Sequence, residues 1–332
     1  MRMFIKLSWV NLFMTEITII IPVYNAEKTL KKCLDSVKKQ DYKNYEVVIV
    51  DDCSTDSSLS IAKGYGYKLI RLKKNSGSGK ARNIGAKEAK TKLIAFTDSD
   101  CILPNDWLSR VIKNLKNKKV HFVCGGYSGS EGGSFLEKYA FHELLIRRKN
   151  LPKFVKTFPS NNFACYKDIF LKEKGFPVSK NYFAEDLEFG LEIGRRYKIL
   201  WDKNIGVKHH FHKKIKKYLK QQYKFARDTM LLYLRKPYFR KIKTYQEDKN
   251  KFVIFYTALI VLNIFGLLFF SKLIYLLPFL LLILLLFDFN FLNYIYKKEG
   301  ILFLIKSSGV LLMRNVSWGL GMTIGMFRFF VL

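Results

Sequence analysis

Short apolar runs and longer amphipathic segments alternate along the first part of the chain. The runs at 17–23, 45–50, 68–72 and 93–96 are typical of buried parallel strands. The segment 27–40 places its apolar residues three and four positions apart, which predicts an amphipathic helix. Further helices are predicted over 57–65, 80–89, 106–117 and 185–197, and a further strand over 120–124, followed by a glycine-rich loop through Gly133. This alternation predicts βαβ units and a mostly parallel sheet.

Polar residues directly follow three of the predicted strands. Asn25 comes after the first strand, Asp51 and Asp52 come after the second, and Asp98 and Asp100 come after the fourth. Ligands of such sheets bind in a crevice at the carboxyl ends of the strands. We therefore expect these five side chains to converge on one crevice.

The aspartates of the triplet 98–100 form a natural site for a divalent cation. Two carboxylates supply hard oxygen ligands to Mg²⁺ or Mn²⁺ and leave positions for phosphate oxygens and water. The same spacing also occurs in solvated turns, and it is the position after a buried strand that favours a metal. A histidine is a suitable third ligand for Mn²⁺, and of His209, His210 and His212 we favour His209. The alternative is that all three histidines belong to a polybasic surface segment.

The composition changes after about Lys251, where the sequence becomes almost wholly apolar. Residues 252–270 are uncharged and long enough to span a bilayer, and residues 273–287 are nearly as long. Only two residues separate them, which predicts a tight transmembrane hairpin. Basic residues on both flanks place both outer ends in the cytoplasm. Buried helices of a soluble domain are the alternative.

A third apolar segment extends over 308–332 and carries Arg314 with a series of small residues, Gly319, Gly321 and Gly325. Such glycines allow close helix packing, either in a membrane span or at the membrane interface. The predicted organisation is an N-terminal extension (1–15), a catalytic domain (16–215), a basic amphipathic juxtamembrane segment (216–251) and membrane helices (252–332). It predicts a multi-pass protein of the cell membrane whose catalytic domain is cytoplasmic.

The formal net charge of +31 requires an anionic partner or surface. Nucleic acid, anionic lipid headgroups and an anionic small-molecule substrate are the three possibilities, and a general bias toward lysine also contributes. Much of the excess lies between Lys208 and Lys243, directly before the apolar tail. Basic residues beside a membrane segment favour a membrane surface, and no nucleic-acid-binding motif is present.

Four motifs in order resemble the family 2 glycosyltransferases. They are Ile19-Ile-Ile-Pro-Val-Tyr-Asn25, Val50-Asp-Asp-Cys-Ser-Thr-Asp56, Gly79-Lys-Ala-Arg-Asn-Ile-Gly85 and Phe96-Thr-Asp-Ser-Asp100. The resemblance implies the GT-A fold, a Rossmann-like mixed α/β sheet, and inverting transfer from a UDP- or GDP-sugar with Mg²⁺ or Mn²⁺. It implies that the nucleotide-sugar is bound by Pro22, Tyr24, Asp51, Asp52, Arg82 and Asp98. It also implies that Asp98 and Asp100 place the metal on the diphosphate.

An acidic pair, Glu185-Asp186, opens the predicted helix 185–197 and is similar to a late acidic pair of that family. The similarity implies that Asp186 takes the proton from the acceptor hydroxyl, with Glu185 beside it. The alternative is simple stabilisation of the helix dipole by acidic residues in the first turn. The apolar tail resembles that of members acting on lipid-linked glycans or polyprenyl phosphate. A catalytically inactive nucleotide-sugar-binding protein of the same fold is the second hypothesis.

Overall fold

A computed structural model describes residues 15–178, 182–242 and 247–331. Residues 1–14 of the predicted extension lie outside this range. The chain divides into a first unit, which covers 1–131 and 151–210, and a second unit, which covers 132–150 and 211–332. The helices are α1 (Leu30–Lys38), α2 (Ser58–Lys63), α3 (Ser78–Glu88), α4 (Trp107–Leu115), α5 (Phe135–Arg148), α6 (Lys167–Lys172), α7 (Glu185–Arg196), α8 (Ile215–Arg235), α9 (Glu247–Gly266), α10 (Leu277–Leu286), α11 (Phe289–Glu299) and α12 (Ile301–Val331).

The first unit is built on two sheets. Its strands are β1 (Ile17–Val23), β2 (Tyr45–Asp51), β3 (Lys68–Arg71), β4 (Leu93–Thr97), β5 (Cys101–Ile102), β6 (Phe122–Cys124), β7 (Tyr127–Ser130), β8 (Phe154–Val155), β9 (Asn162–Tyr166), β10 (Ile199–Trp201) and β11 (Val207–His209). The larger sheet has the order β3-β2-β1-β4-β9-β6-β10-β8. Strands β3, β2, β1 and β4 are mutually parallel, whereas β9 is antiparallel to both β4 and β6. The predicted βαβ half is therefore present within a mixed sheet.

Helices pack on both faces of the parallel strands. Every residue of β1 is buried, which explains why its sequence is apolar at every position except Thr18 rather than alternating. Helix α1 buries Leu30, Leu34 and Val37 at the predicted helical spacing. Helix α3 approaches the sheet so closely that a Cβ at Gly85 would overlap the Ile20 side chain of β1. These contacts fix the strand ends from which the polar residues extend.

A small second sheet departs from the sequence prediction. Residues 125–133 were expected to form only a loop, but they contain β7, which joins β5 and β11 in the order β5-β11-β7. These strands are two to four residues long, too short to show an apolar period. Their register pairs His209 with Cys101. The small sheet thereby brings the end of β11 next to the aspartate triplet after β4.

The second unit is helical, and α12 packs against α8 along one face. A Cβ at Gly321 would lie 3.0 Å from the Ala226 side chain, and one at Gly325 would lie 3.0 Å from the Met230 side chain. Indole Nε1 of Trp318 donates to Gln222 at 2.8 Å. The predicted small-residue series thus lies at a close helix contact.

The predicted two-span hairpin does not match the helices of the second unit. In the described part, only α12 is long and apolar enough to cross a membrane by length and composition. A second candidate exists if 271–286 and 289–299 count as one span, although these are bent by 75°. The segment predicted as 273–287 begins within a 3-10 turn over Ser271–Tyr275 and continues into the ten-residue α10, which has Pro278 in its first turn. Multi-pass insertion is therefore not supported, while extensive apolar surface remains exposed.

Candidate active site

The loops after β1 and β2 are held together by side-chain hydrogen bonds. Asn25 has a left-handed backbone (φ 48°), and its side-chain oxygen accepts a hydrogen bond from Thr55 N at 2.9 Å. In return, Asn25 N donates to Ser54 Oγ at 3.0 Å, and Ala26 N donates to Ser58 Oγ at 2.7 Å. Asparagine tolerates this backbone conformation better than most residues. These bonds fix the rim of the crevice predicted at the strand ends.

Asp51 and Asp52 are both buried at the end of β2. The two oxygens of Asp52 accept hydrogen bonds from the backbone N–H groups of Ser76 (2.7 Å) and Gly77 (2.8 Å), so Asp52 orders the loop before α3. Oδ1 of Asp51 accepts from Ser54 N at 3.2 Å. Its Oδ2 lies 3.5 Å from Arg71 Nε and has no hydrogen-bond partner. A buried acceptor of this kind suits a donor group of a ligand, such as a base N–H or a ribose hydroxyl.

Arg82 connects the aspartate triplet to the start of α7. Its Nη2 donates to Asp98 Oδ1 at 2.6 Å, and its Nη1 lies 3.4 Å from Glu185 Oε1. The Arg82 side chain is only 2% exposed, and its guanidinium lies 5.3 Å from the Phe176 ring centroid. Ser78 Oγ also donates to Glu185 Oε1, at 2.7 Å. Burial opposes the charge of Arg82, but Asp98 and Glu185 outweigh it and raise the pKa of the guanidinium.

Asp100, Cys101 and His209 form a group that could hold a metal ion. Their ligand atoms all lie within 4.8 Å of one another, and His209 Nε2 is 3.4 Å from Asp100 Oδ1. Burial and the charges of Asp100 and Asp98 raise the pKa of the Cys101 thiol well above its usual range. Asp100 and His209 supply a carboxylate and an imidazole, and these donors suit Mn²⁺. Asp98 lies outside this group and is paired with Arg82.

Asp186 has a carboxyl group whose pKa is raised to about 6. Burial is the main cause, and the charge of the adjacent Glu185 adds to it. Its Oδ1 accepts a hydrogen bond from Leu187 N at 2.8 Å in the first turn of α7. Such a pKa lies close to the range in which a carboxylate can accept a proton and later release it. The neighbouring Glu185 is instead engaged by Arg82 and Ser78.

The remaining predicted residues lie on or directly after β1. Pro22 is within the strand and opposite Val50 of β2, whereas Tyr24 follows the strand and is half exposed. Sequence reasoning missed Phe176, which lies in a stretch without clear periodicity, and Ser78, which directly precedes the matching motif that begins at Gly79. It also gave no role to Cys101, although this residue directly follows the triplet.

The chain is similar to known glycosyltransferases. Residues 18–174 match the model of the family Glycosyl transferase family 2. Glycosyltransferase AglE of Haloferax volcanii is 31% identical over 156 residues, which cover 43% of this chain and 51% of that protein. Poly(ribitol-phosphate) beta-N-acetylglucosaminyltransferase TarS of Staphylococcus aureus is 44% identical over 94 residues, which cover 26% of this chain and 16% of that protein. The chain thus spans about half or less of the length of these curated relatives.

A solved structure shares the fold over nearly the whole chain. Mannosyltransferase PcManGT from Pyrobaculum calidifontis, in complex with GDP-Man and Mn²⁺, has a TM-score of 0.57 at 16% sequence identity. The match covers 96% of this chain and 88% of that one. Residues 18–174 thus form a family 2 glycosyltransferase domain, and the structural match shows that its fold is the GT-A fold.

Proposed function

We propose that this chain is a metal-dependent, inverting glycosyltransferase that moves a sugar from a UDP- or GDP-sugar to a membrane-associated acceptor. The observation that carries the proposal is the Arg82 bridge. One buried guanidinium holds Asp98, in the aspartate triplet, and Glu185, which directly precedes Asp186. The carboxylate proposed to bind the donor, and the residue directly before the carboxylate proposed to accept the proton, are thereby held by one rigid group.

The residues after β4 and in β11 fit a divalent cation. Asp100 and His209 would hold it, and Asp98 would lie beside it with its orientation fixed by Arg82. When bound, the ion would neutralise negative charge on the leaving diphosphate. The similarity to PcManGT, whose structure contains GDP-Man and Mn²⁺, supports this proposal without deciding between Mg²⁺ and Mn²⁺.

The other side chains supply binding and proton transfer. Oδ2 of Asp51, which has no hydrogen-bond partner, would accept a hydrogen bond from the nucleotide, and the exposed ring of Tyr24 together with Pro22 would contact the nucleotide. Asp52 keeps the loop before α3 in place through its two backbone bonds. Asp186 would receive the acceptor hydroxyl proton, because its pKa of about 6 leaves it ionised at neutral pH.

The acceptor we propose is a lipid-linked glycan or polyprenyl phosphate at the cytoplasmic face of the cell membrane. The large exposed apolar surface of the second unit and the net charge of +31 both favour an anionic membrane over nucleic acid. AglE and TarS, by their names, are also sugar-transferring proteins, and TarS acts on an anionic polymer.

Two readouts separate a transferase from an inactive binding protein. Thermal shift against a panel of UDP- and GDP-sugars with Mn²⁺ reports donor binding, and sugar transfer to membrane lipids reports catalysis. We expect Asp186→Asn to retain donor binding and to lose transfer. Asp106→Asn is the matched control, because Asp106 is an exposed carboxylate at the start of α4. Donor binding without transfer in the unmodified chain would support the inactive alternative.

A further inference from the structure

Asn162, the first residue of β9, is fully buried in the first unit and makes three side-chain hydrogen bonds. Its Oδ1 accepts a hydrogen bond from Trp107 Nε1 of α4 at 2.9 Å. Its Nδ2 donates to two backbone carbonyl oxygens, those of Gly126 at 3.0 Å and Ile205 at 2.8 Å. An indole N–H can only donate and a carbonyl oxygen can only accept, so these partners fix the orientation of the amide and use both of its N–H bonds.

The hydrogen bonds of Asn162 reach both β7 and β11 of the small sheet. Gly126 directly precedes β7, and Ile205 lies two residues before β11, the strand that ends at His209. The backbone of Asn162 pairs with Thr97 of β4, the residue directly before the aspartate triplet. The side chain therefore ties the strand that carries His209 to the strand that precedes the triplet.

The turn between β6 and β7 approaches this amide more closely than any residue with a Cβ would allow. A Cβ at Gly125 would lie 2.8 Å from Asn162 Nδ2 and 2.7 Å from the carbonyl oxygen of Ile205. The backbone N–H of Gly125 also donates to Asn162 O at 3.2 Å. A side chain at this position would push the turn away from Asn162, so the glycine preserves the close approach.

The neighbouring Asn161 contacts the other strands of the small sheet. It is also buried, and its Nδ2 donates to the Tyr127 hydroxyl of β7 at 3.1 Å and to Cys101 Sγ of β5 at 3.5 Å. The Tyr127 ring meets the His209 ring edge to face, with the ring centroids 5.4 Å apart. The two consecutive asparagines thus hold β5, β7 and the start of β11 against β9.

We propose that Asn162, together with Asn161, positions the metal site. The two amides act through the candidate ligands Asp100 and His209, whose Oδ1 and Nε2 atoms lie 3.4 Å apart across the small sheet. Without these hydrogen bonds, the end of β11 is no longer held at a fixed distance from the triplet. The inference rests on the metal site of the proposed function and adds residues outside the ligand set that determine its affinity for the ion. Replacement of such residues typically weakens metal binding about 10–100-fold.

Asn162→Asp tests this role in the full chain. The carboxylate keeps an acceptor for Trp107 Nε1 but turns its second oxygen toward the carbonyl oxygens of Gly126 and Ile205, which can only accept. We expect Mn²⁺ alone to bind about 10–100-fold more weakly in isothermal titration calorimetry. The titrations are made well below the melting midpoint of each variant, so that only folded protein is compared.

Gln40→Glu is the matched control, because Gln40 is equally buried and makes the same set of hydrogen bonds. Its Nε2 donates to the carbonyl oxygens of Ser36 at 3.1 Å and Pro104 at 2.8 Å. Its Oε1 accepts from Leu108 N at 2.9 Å. These bonds join the end of α1 to the start of α4, which carry neither candidate ligand. We expect a lowered melting midpoint with unchanged affinity for Mn²⁺.

A spectroscopic measurement separates positioning from general stability. In electron spin-echo experiments, a coordinating imidazole modulates the signal of bound Mn²⁺ through its nitrogen nucleus, whereas a carboxylate does not. We expect nitrogen modulation from His209 in the unmodified chain and in Gln40→Glu, and its loss in Asn162→Asp. A purely structural role of Asn162 would leave this modulation in place.

Asn161→Ala is a second, milder variant that carries the test if Asn162→Asp does not fold. It removes the hydrogen bonds to Tyr127 and Cys101 and should also weaken Mn²⁺ binding. Unchanged Mn²⁺ affinity in the folded asparagine variants, or an equal loss in Gln40→Glu, would overturn the inference and leave the proposed metal site standing. Absence of Mn²⁺ binding in the unmodified chain would overturn both the inference and the metal dependence of the proposed function.

Discussion

Replacement of Arg82 by methionine tests whether the guanidinium bridge organises the active site. Methionine keeps an apolar stem against Phe176 but leaves Asp98 and Glu185 without their shared cation. Removal of one partner from a buried ion pair typically costs about 3–5 kcal/mol. Asp98 and Glu185 retain side-chain exposures of 26% and 16%, so water reduces this cost, and we expect about 2–3 kcal/mol.

Arg110→Met is the control for this measurement. Arg110 Nε and Asp106 Oδ2 are 2.6 Å apart, the same distance as in the Arg82–Asp98 pair, but their side chains are 44% and 43% exposed. Such an exposed pair on a helix contributes about 0.3–0.5 kcal/mol. Differential scanning fluorimetry should show a melting midpoint lowered by roughly 5–10 °C for Arg82→Met and by less than about 2 °C for Arg110→Met. Equal shifts in the two variants would refute the reasoning from burial.

Three further outcomes are expected. Because Asp186 must be ionised to accept a proton, kcat/KM should fall about tenfold per pH unit below pH 6. Its pKa is higher in the folded than in the unfolded protein, so the free energy of unfolding falls as pH rises from about 4 to 6, and Asp186→Asn should be more stable than the unmodified chain by about 2 kcal/mol at pH 7.5 but not at pH 4. Asp100→Asn and His209→Gln should each weaken Mn²⁺ binding at least about tenfold by isothermal titration, whereas His210→Gln, whose Nδ1 lies 3.1 Å from Glu131, should not. Gly85→Ala should cost about 1–3 kcal/mol in urea unfolding because its Cβ would overlap Ile20, whereas Gly133→Ala, with open space around it, should be nearly neutral.

Local sequence patterns were sufficient to predict the parallel strands of the larger sheet. Buried strands β1, β2 and β4 are continuous apolar runs, and each is followed by polar residues that the sheet brings to one edge. The predicted convergence of Asp51 and Asp52 with the triplet rests on this general property of parallel sheets. The pattern of apolar residues predicted a mostly parallel sheet, and only the resemblance to the family implied a mixed sheet.

Local sequence patterns could not predict the contacts of the candidate site that join residues far apart in the chain. The Arg82–Glu185 pair joins residues 103 positions apart, and His209 reaches Asp100 only because β5 and β11 pair over two residues. Strands that short carry no periodicity. The sequence did favour His209 among three histidines, but the geometry that singles it out required the small sheet.

The predicted membrane hairpin is not supported by the described helices, for a different reason. Apolar composition reports that a segment avoids water, but it does not distinguish a span from a helix lying at an interface. The distinction depends on what packs beside the helix. For α12, the contacts with α8 and α9, such as Trp318 with Gln222 and Gly319 with Thr257, could not be inferred from hydropathy.

The central claim is metal-dependent sugar transfer at the site formed by the triplet and β11. The most direct test measures transfer of radiolabelled sugar from UDP- or GDP-sugars to membrane lipids, with Mn²⁺ and with chelator, in the unmodified chain, Asp100→Asn and Asp106→Asn. We predict transfer that requires the metal, is lost in Asp100→Asn and is retained in Asp106→Asn. Undiminished metal-dependent transfer in Asp100→Asn would contradict the account.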